Sequence, residues 1–288
     1  MKKILLCVCI GILALCTSGC LKRDNLEDIT IYTTVYPFEY ITNQLYGEHS
    51  TIKSIYPDGS NPNTYKLTDK QIKDYSKSSL FIFNGLSNEK EYVSPMLEYN
   101  KNMKIIDSTL AMEYTNNIEE LWLDPSNFLM LAQNIKNGLL EYINNHYLKT
   151  SIEENYEALK IEVSNLDAKF KLLSESSNHP VIVVTSDVFK FLEKYNLTVI
   201  SLEENENLTD KTIYDVTEMI ENGEINYIFT IQNEEVNKTV QNIQEETGVE
   251  LLTIHNLSNI TEEERSAKQD YISIMNENIE QLKNELYD

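Results

Sequence analysis

The sequence predicts an α/β protein of two lobes, each a mainly parallel sheet with flanking helices, joined by a long rigid helix. Three observations predict it. Short runs rich in β-branched and aromatic residues alternate with helical patterns from Asp28 onward, the pattern of a parallel sheet covered by helices. The alternation occurs twice, in two separate series. Between them lies the most regular stretch of the chain, where Ile152, Tyr156, Leu159, Val163, Leu166, Phe170 and Leu173 recur at spacings of 4 and 3 and so form one apolar stripe.

Residues 1–19 read as a secretory signal. Lys2 and Lys3 precede an apolar run from Ile4 to Leu15 that is too short to span a bilayer. Thr17-Ser18-Gly19-Cys20 resembles a bacterial lipobox, in which the cysteine takes a diacylglycerol and becomes the mature N-terminus; a plain signal cleaved near Gly19 is the alternative. The cysteines at 7, 9 and 16 lie in this segment and Cys20 directly follows it. The remainder therefore has neither disulfide nor thiolate metal site and must stand on its core.

The first lobe, 20–147, opens with a strand at 29–36, a helix at 38–46 and a strand at 51–56. A rigid loop follows, "SIYPDGSNPNTYKLT", in which Pro57 and Pro62 fix φ and Gly59 permits turn geometry. Thr68 and Gln71 form a capping box, so a helix should begin at Asp69 and run to 77. Strands at 79–85 and 103–109 complete the set. Asp124-Pro125 reads as an N-cap with proline at the first helical position.

The striped segment falls within 148–178. A helix of about 25 residues would reach about 35–40 Å, enough to cross from one lobe to the other. Little more than three heptads is marginal for a coiled-coil dimer, so an intrachain strut and a monomer are expected. The second lobe, 179–288, carries strands at 180–186, 197–202, 225–231 and 249–255 and a last helix over 263–286. Ligands of such folds bind outside the carboxyl ends of the strands, which places loop 57–63, Ser186 and His255 together.

With 46 acidic against 24 basic residues the formal charge is −22, which argues against nucleic-acid partners because nothing would neutralise phosphates. There is no Gly-rich phosphate loop, GxSxG elbow, CxxC pair or HExxH helix. An enzyme is not expected; a metal-assisted hydrolase is the least favoured reading.

Several stretches converge on one family. "YTTVYPFEYITNQLYG", "PDGSNPNTYKLT", "LFIFNGLSNE", "LWLDPSN", "VIVVTSDVFKFLEKYNL" and "YISIMNENIEQLKNEL", in this order, resemble the solute-binding lipoproteins of zinc- and manganese-type bacterial ABC metal importers. The resemblance implies two α/β lobes on a rigid helix, a metal held in the cleft and delivery to an ABC permease. It also implies an extracytoplasmic protein anchored to the outer face of the cell membrane by a lipid on Cys20.

The residues at the family's metal positions depart from the usual ones. Asn63 stands where a histidine follows proline, and Glu120, or Glu119 in a register shifted by one, stands at the second place, Glu120 being two residues before Trp122. Asp187, or Ser186 in the alternative register, occupies the third place, and His255 the fourth. Asn63, Glu120, Asp187 and His255 would make an oxygen-rich site leaning towards manganese over zinc, with iron also acceptable, or none if the site is degenerate. Each has an ordinary role as well: Asn63 suits a turn, Glu120 a solvated acid, Asp187 a helix cap, and His255 a hydrogen-bonded strand end. The alternative function is a surface lipoprotein on the same scaffold that has lost metal binding and serves adhesion, interaction or regulation.

Overall fold

The computed structural model describes residues 24–177 and 179–287. The expected signal and Cys20 lie outside the described residues.

Two four-stranded sheets form, both fully parallel and both in the same strand order. The first, β2-β1-β3-β4, contains β1 (Thr30–Thr33), β2 (Thr51–Ser54), β3 (Leu80–Phe83) and β4 (Lys104–Asp107). The second, β6-β5-β7-β8, contains β5 (Val181–Val184), β6 (Thr198–Ser201), β7 (Tyr227–Ile231) and β8 (Glu250–Ile254). Central strand β3 is apolar on both faces: Leu80, Phe81, Ile82 and Phe83 are all buried, as a sheet covered on two sides requires. The capping box before the helix Asp69–Tyr75 is present, with Thr68 accepting from the Gln71 N–H and Gln71 reaching back to the Thr68 N–H. Asp124 caps the helix Pro125–Tyr142 through the Ser126 N–H at 2.8 Å.

The connecting helix runs His146–Glu175, 30 residues, or about 45 Å. All seven stripe residues are buried. They pack on the helices Tyr36–Tyr46 and Pro125–Tyr142 of the first lobe, and on the last helix and the segment Asp187–Tyr195 of the second. Phe170 shows the fit: Phe191 meets it edge-on at 5.8 Å and Tyr195 stacks on it at 5.4 Å. A single apolar core therefore runs through the first lobe, the strut and the facing side of the second lobe. A smaller core around Val183, Leu202, Val216 and Ile228 closes the outer face of the second sheet.

The C-terminal helix expected over 263–286 is two helices, Glu262–Ser266 and Tyr271–Leu286. Lys268 adopts φ 60°, which breaks the first, and Asp270 starts the second by forming a capping box with Ser273. The segment after Ser186 is a 3₁₀ helix, Asp187–Tyr195, and its cap is Ser186 rather than Asp187: the Ser186 hydroxyl accepts from the Val188 N–H.

The first lobe also buries a carboxyl group. Glu89 accepts from the Asn84 N–H at 3.2 Å and from the Tyr56 hydroxyl at 3.4 Å. Burial nevertheless raises its pKa from 4.5 to about 7.

Two measurements check this account. Phe170→Ala should cost about 3–5 kcal/mol in urea denaturation, whereas Leu172→Ala, on the exposed side of the strut, should change stability by less than about 0.5 kcal/mol. Because Glu89 holds its proton more tightly folded than unfolded, its contribution is complete below pH 4.5 and is lost as pH rises towards 7, a change of about 3 kcal/mol. The melting temperature of Glu89→Gln relative to the parent should therefore rise between pH 4.5 and pH 8; an unchanged difference would refute the assignment.

Candidate metal centre

The loop at 57–63 lies across the second lobe. The Gly59 N–H donates to the Ile260 carbonyl at 2.8 Å, with Gly59 at φ 74°. Asn259 Nδ2 donates to the carbonyls of Pro57 and Ser60, both at 2.7 Å. Arg265 adds a charged clamp, reaching Asp58 at 2.7 and 2.8 Å and the buried Glu39 at 2.9 and 3.2 Å in two forks. Loop 57–63 is thus held by backbone and guanidinium contacts from the opposite lobe, which fixes where Asn63 stands.

Behind it the lobes are joined at Trp122. Its indole Nε1 donates to the Asn256 carbonyl at 2.8 Å, and its own carbonyl accepts from the Tyr271 hydroxyl at 2.6 Å. Tyr271 stacks on Phe128 at 4.0 Å. A cavity of about 60 Å³ opens in front, lined by Asn63 and loop 59–62 from one lobe and by Glu234, His255 and Asn256 from the other.

Of the four predicted residues, Asn63 and His255 face this cavity together. His255 is buried and its ring is committed: Nδ1 accepts from the Leu257 N–H at 2.7 Å and Nε2 points at Glu264 Oε1, 3.5 Å away. A neutral imidazole that accepts at Nδ1 carries its proton on Nε2, so neither nitrogen offers a lone pair in this arrangement. The contact supports Leu257 at φ 59° and shapes the turn. Burial lowers the pKa of His255, against the opposing pull of Glu264, which keeps the ring neutral.

Glu120 and Asp187 turn elsewhere. Glu120 accepts from the N–H groups of Thr115 and Asn116, each at 3.0 Å, and from the Asn116 amide at 2.6 Å. Asp187 pairs with Lys190 at 3.0 Å and accepts from Asn205 at 3.3 Å. Burial alone would raise its pKa, but the Ser201 hydroxyl, Lys190 and Asn205 outweigh it and hold the carboxyl below its ordinary value. The four predicted residues do not converge. Among the described residues no three His, Cys, Asp or Glu side chains stand close enough to hold a metal ion.

Three other carboxylates stand near this region: Glu234 and Glu203 line cavities, and Glu119 bonds to Asn63. Glu119 is 3 % exposed, takes a hydrogen bond from the Asn63 side chain and has one oxygen, Oε2, without a partner. Burial raises its pKa, and the charges of Glu234 and Glu203 raise it further. Glu203, just after β6, accepts from the Ser186 hydroxyl at 3.0 Å and the Asp187 N–H at 2.6 Å. Glu234, after β7, accepts from the Asn256 amide at 3.2 Å; burial and then Glu203 raise its pKa. Sequence reasoning passed over Glu203 and Glu234. The available signal was their place, just beyond the carboxyl ends of β6 and β7, which flank β5, where ligands of parallel α/β sheets are bound.

Comparison with known proteins fits this architecture. The family described as zinc-uptake complex component A, periplasmic (ZnuA), matches residues 31–285. The zinc-binding lipoprotein AdcA of Streptococcus pneumoniae is 23% identical over 311 residues, covering 98% of this chain and 61% of AdcA, so the chain spans under two thirds of that relative's length. The manganese-binding lipoprotein MntA of Halalkalibacterium halodurans is 21% identical over 309 residues and 97% of each chain. The Zn(II)-bound ZnuA-like domain of S. pneumoniae AdcA superposes with a TM-score of 0.73 at 22% identity, over 91% of this chain and all of that domain. With both sheets, the strut and the cleft loops falling inside the matched span, this chain belongs to the ZnuA family.

Proposed function

We propose that this protein captures a divalent transition metal, manganese, zinc or iron, in the cleft between its lobes and delivers it to an ABC permease. It works outside the cytoplasm as a monomer, tethered to the outer face of the membrane by a lipid on Cys20. The observation that carries this reading is the unbroken family match from 31 to 285, which takes in both lobes and every loop that reaches the cleft. Relatives named for zinc and for manganese lie at nearly the same identity, so the likeness favours neither metal. The tether would keep cargo and permease at high local concentration.

The cleft supports binding more readily than catalysis. One carboxylate, Glu234, lines its small cavity, and the histidine beside it is locked by backbone and carboxylate contacts, unavailable as a mobile base. A second reading, a lipoprotein of this scaffold that has lost its metal and serves adhesion or regulation, draws on the lack of a ready three-ligand cluster among the described residues.

Calorimetry on the mature protein, purified without chelator, should show one Mn²⁺ or Zn²⁺ per chain. At a free-metal concentration 100 times Kd, binding should add about 2.7 kcal/mol of stability, read as a rise in melting temperature. Absence of both heat and thermal shift with Mn²⁺, Zn²⁺ and Fe²⁺ would leave the second reading.

A further inference from the structure

We propose that the first lobe docks on the membrane that carries its tether, holding an anionic phospholipid headgroup at Lys101 and Lys104 on the pole opposite the cleft. The inference rests on the reading of Cys20 as the lipid attachment point and adds to it a contact made by the folded lobe itself.

A cavity of about 500 Å³ lies at the amino ends of β3 and β4, lined by Lys101 and Lys104 with Asn25, Ser79, Asn102 and Tyr142. Loop 57–63 leaves the carboxyl end of β2 in the same parallel sheet, so this cavity occupies the end remote from the cleft. The chain has 46 acidic against 24 basic residues, yet no carboxylate is among the residues that line the cavity. Among the described residues neither lysine has a carboxylate partner, and Lys104 Nζ stands over the Tyr142 ring at 5.4 Å. Asp24 and Glu27, the acids on either side of Asn25 and Leu26, are turned to backbone instead. Asp24 Oδ2 accepts from the Asn144 and Asn145 N–H groups at 2.7 and 3.2 Å, and Glu27 Oε2 from the Asp24 N–H at 2.6 Å. Two ammonium groups free of counter-charge, with amide and hydroxyl donors beside them, suit a phosphodiester.

The tether makes that phosphate a lipid's. Asp24, held against the start of the strut by its two bonds, is four residues from Cys20, at most about 14 Å of extended chain. Lys22 and Arg23 lie within that stretch of sequence, and Asn25, the residue after Asp24, already lines the cavity. Two tyrosines stand out near it in the chain: Tyr147, in the first turn of the strut, is 74 % exposed, and Tyr99, two residues before Lys101, is 55 % exposed. Exposed tyrosine with lysine is the side-chain chemistry of a membrane–water interface. The acidic remainder of the surface is repelled by the same anionic headgroups, so the headgroup contact sets the orientation of the lobe and keeps the cleft clear of the bilayer.

Lysine footprinting on tethered protein tests this. Cys20 is the sole cysteine from residue 20 onward, so the mature chain can be coupled through it to a maleimide lipid whether or not a cell acylates it. Vesicles of phosphatidylcholine alone are compared with vesicles that also contain phosphatidylglycerol. On the anionic vesicles, acetylation of Lys101 and Lys104, read by mass spectrometry, should slow about fivefold and recover at high salt, while Lys211 and Lys238 of the second lobe react alike on both. Equal labelling of Lys101 and Lys104 on the two vesicles, or equal protection of all four lysines, would overturn the headgroup site. The same protection by inorganic phosphate on phosphatidylcholine vesicles would overturn it in favour of a soluble-anion site. Native protein whose Cys20 carries no diacylglycerol by mass would overturn the tether and leave the lysine site to stand or fall on the labelling.

Discussion

The apolar stripe of helix His146–Glu175 is the constraint from which the rest of the architecture follows. Its buried residues are shared between the lobes, so neither lobe can swing away without exposing Phe170, Leu166 or Val163 to water. Two parallel sheets of identical strand order are thereby set with their carboxyl ends on one cleft. The Arg265 clamp, the Asn259 bonds to loop 57–63 and the Trp122–Tyr271 junction then close the rim on a frame that is already stiff. A binding site in such a frame has to adapt through side chains, because the backbone on both sides is tied.

That stiffness gives the cleft residues unequal roles. His255 and Asp187, the more conventional ligand types, are used to shape turns and to balance a lysine, while Glu120 satisfies two backbone N–H groups. The carboxylates that remain, Glu119, Glu203 and Glu234, come from three separate segments; burial first, and then the charges of Glu234 and Glu203, raise the pKa of Glu119, and burial and Glu203 raise that of Glu234.

Most of the fold was legible in the sequence. All eight strands fall inside the runs picked out by β-branched and aromatic residues, and the stripe from Ile152 to Leu173 is buried at every position. Periodicity misread the C-terminal helix because the apolar pattern bridges a break made by one left-handed residue, Lys268, and a polar cap at Asp270. The cleft was harder to read. Glu119 and Glu120 are adjacent, and about 100° of helical rotation sends one to Asn63 and the other to Thr115 and Asn116. Glu203 and Glu234 were hidden among 46 acids, since only the pairing of β5 with β6 and β7 brings their strand ends to the two flanks of one central strand.

The bond from the Trp122 indole to the Asn256 carbonyl links the two lobes through the chain's one tryptophan. Asn256 in turn donates its side-chain amide to Glu234. The protein thus contains a native chromophore wired in series to a cleft carboxylate, whose emission spectrum is sensitive to any strain transmitted along those two hydrogen bonds. No dye or engineered label is required to watch one lobe feel the other.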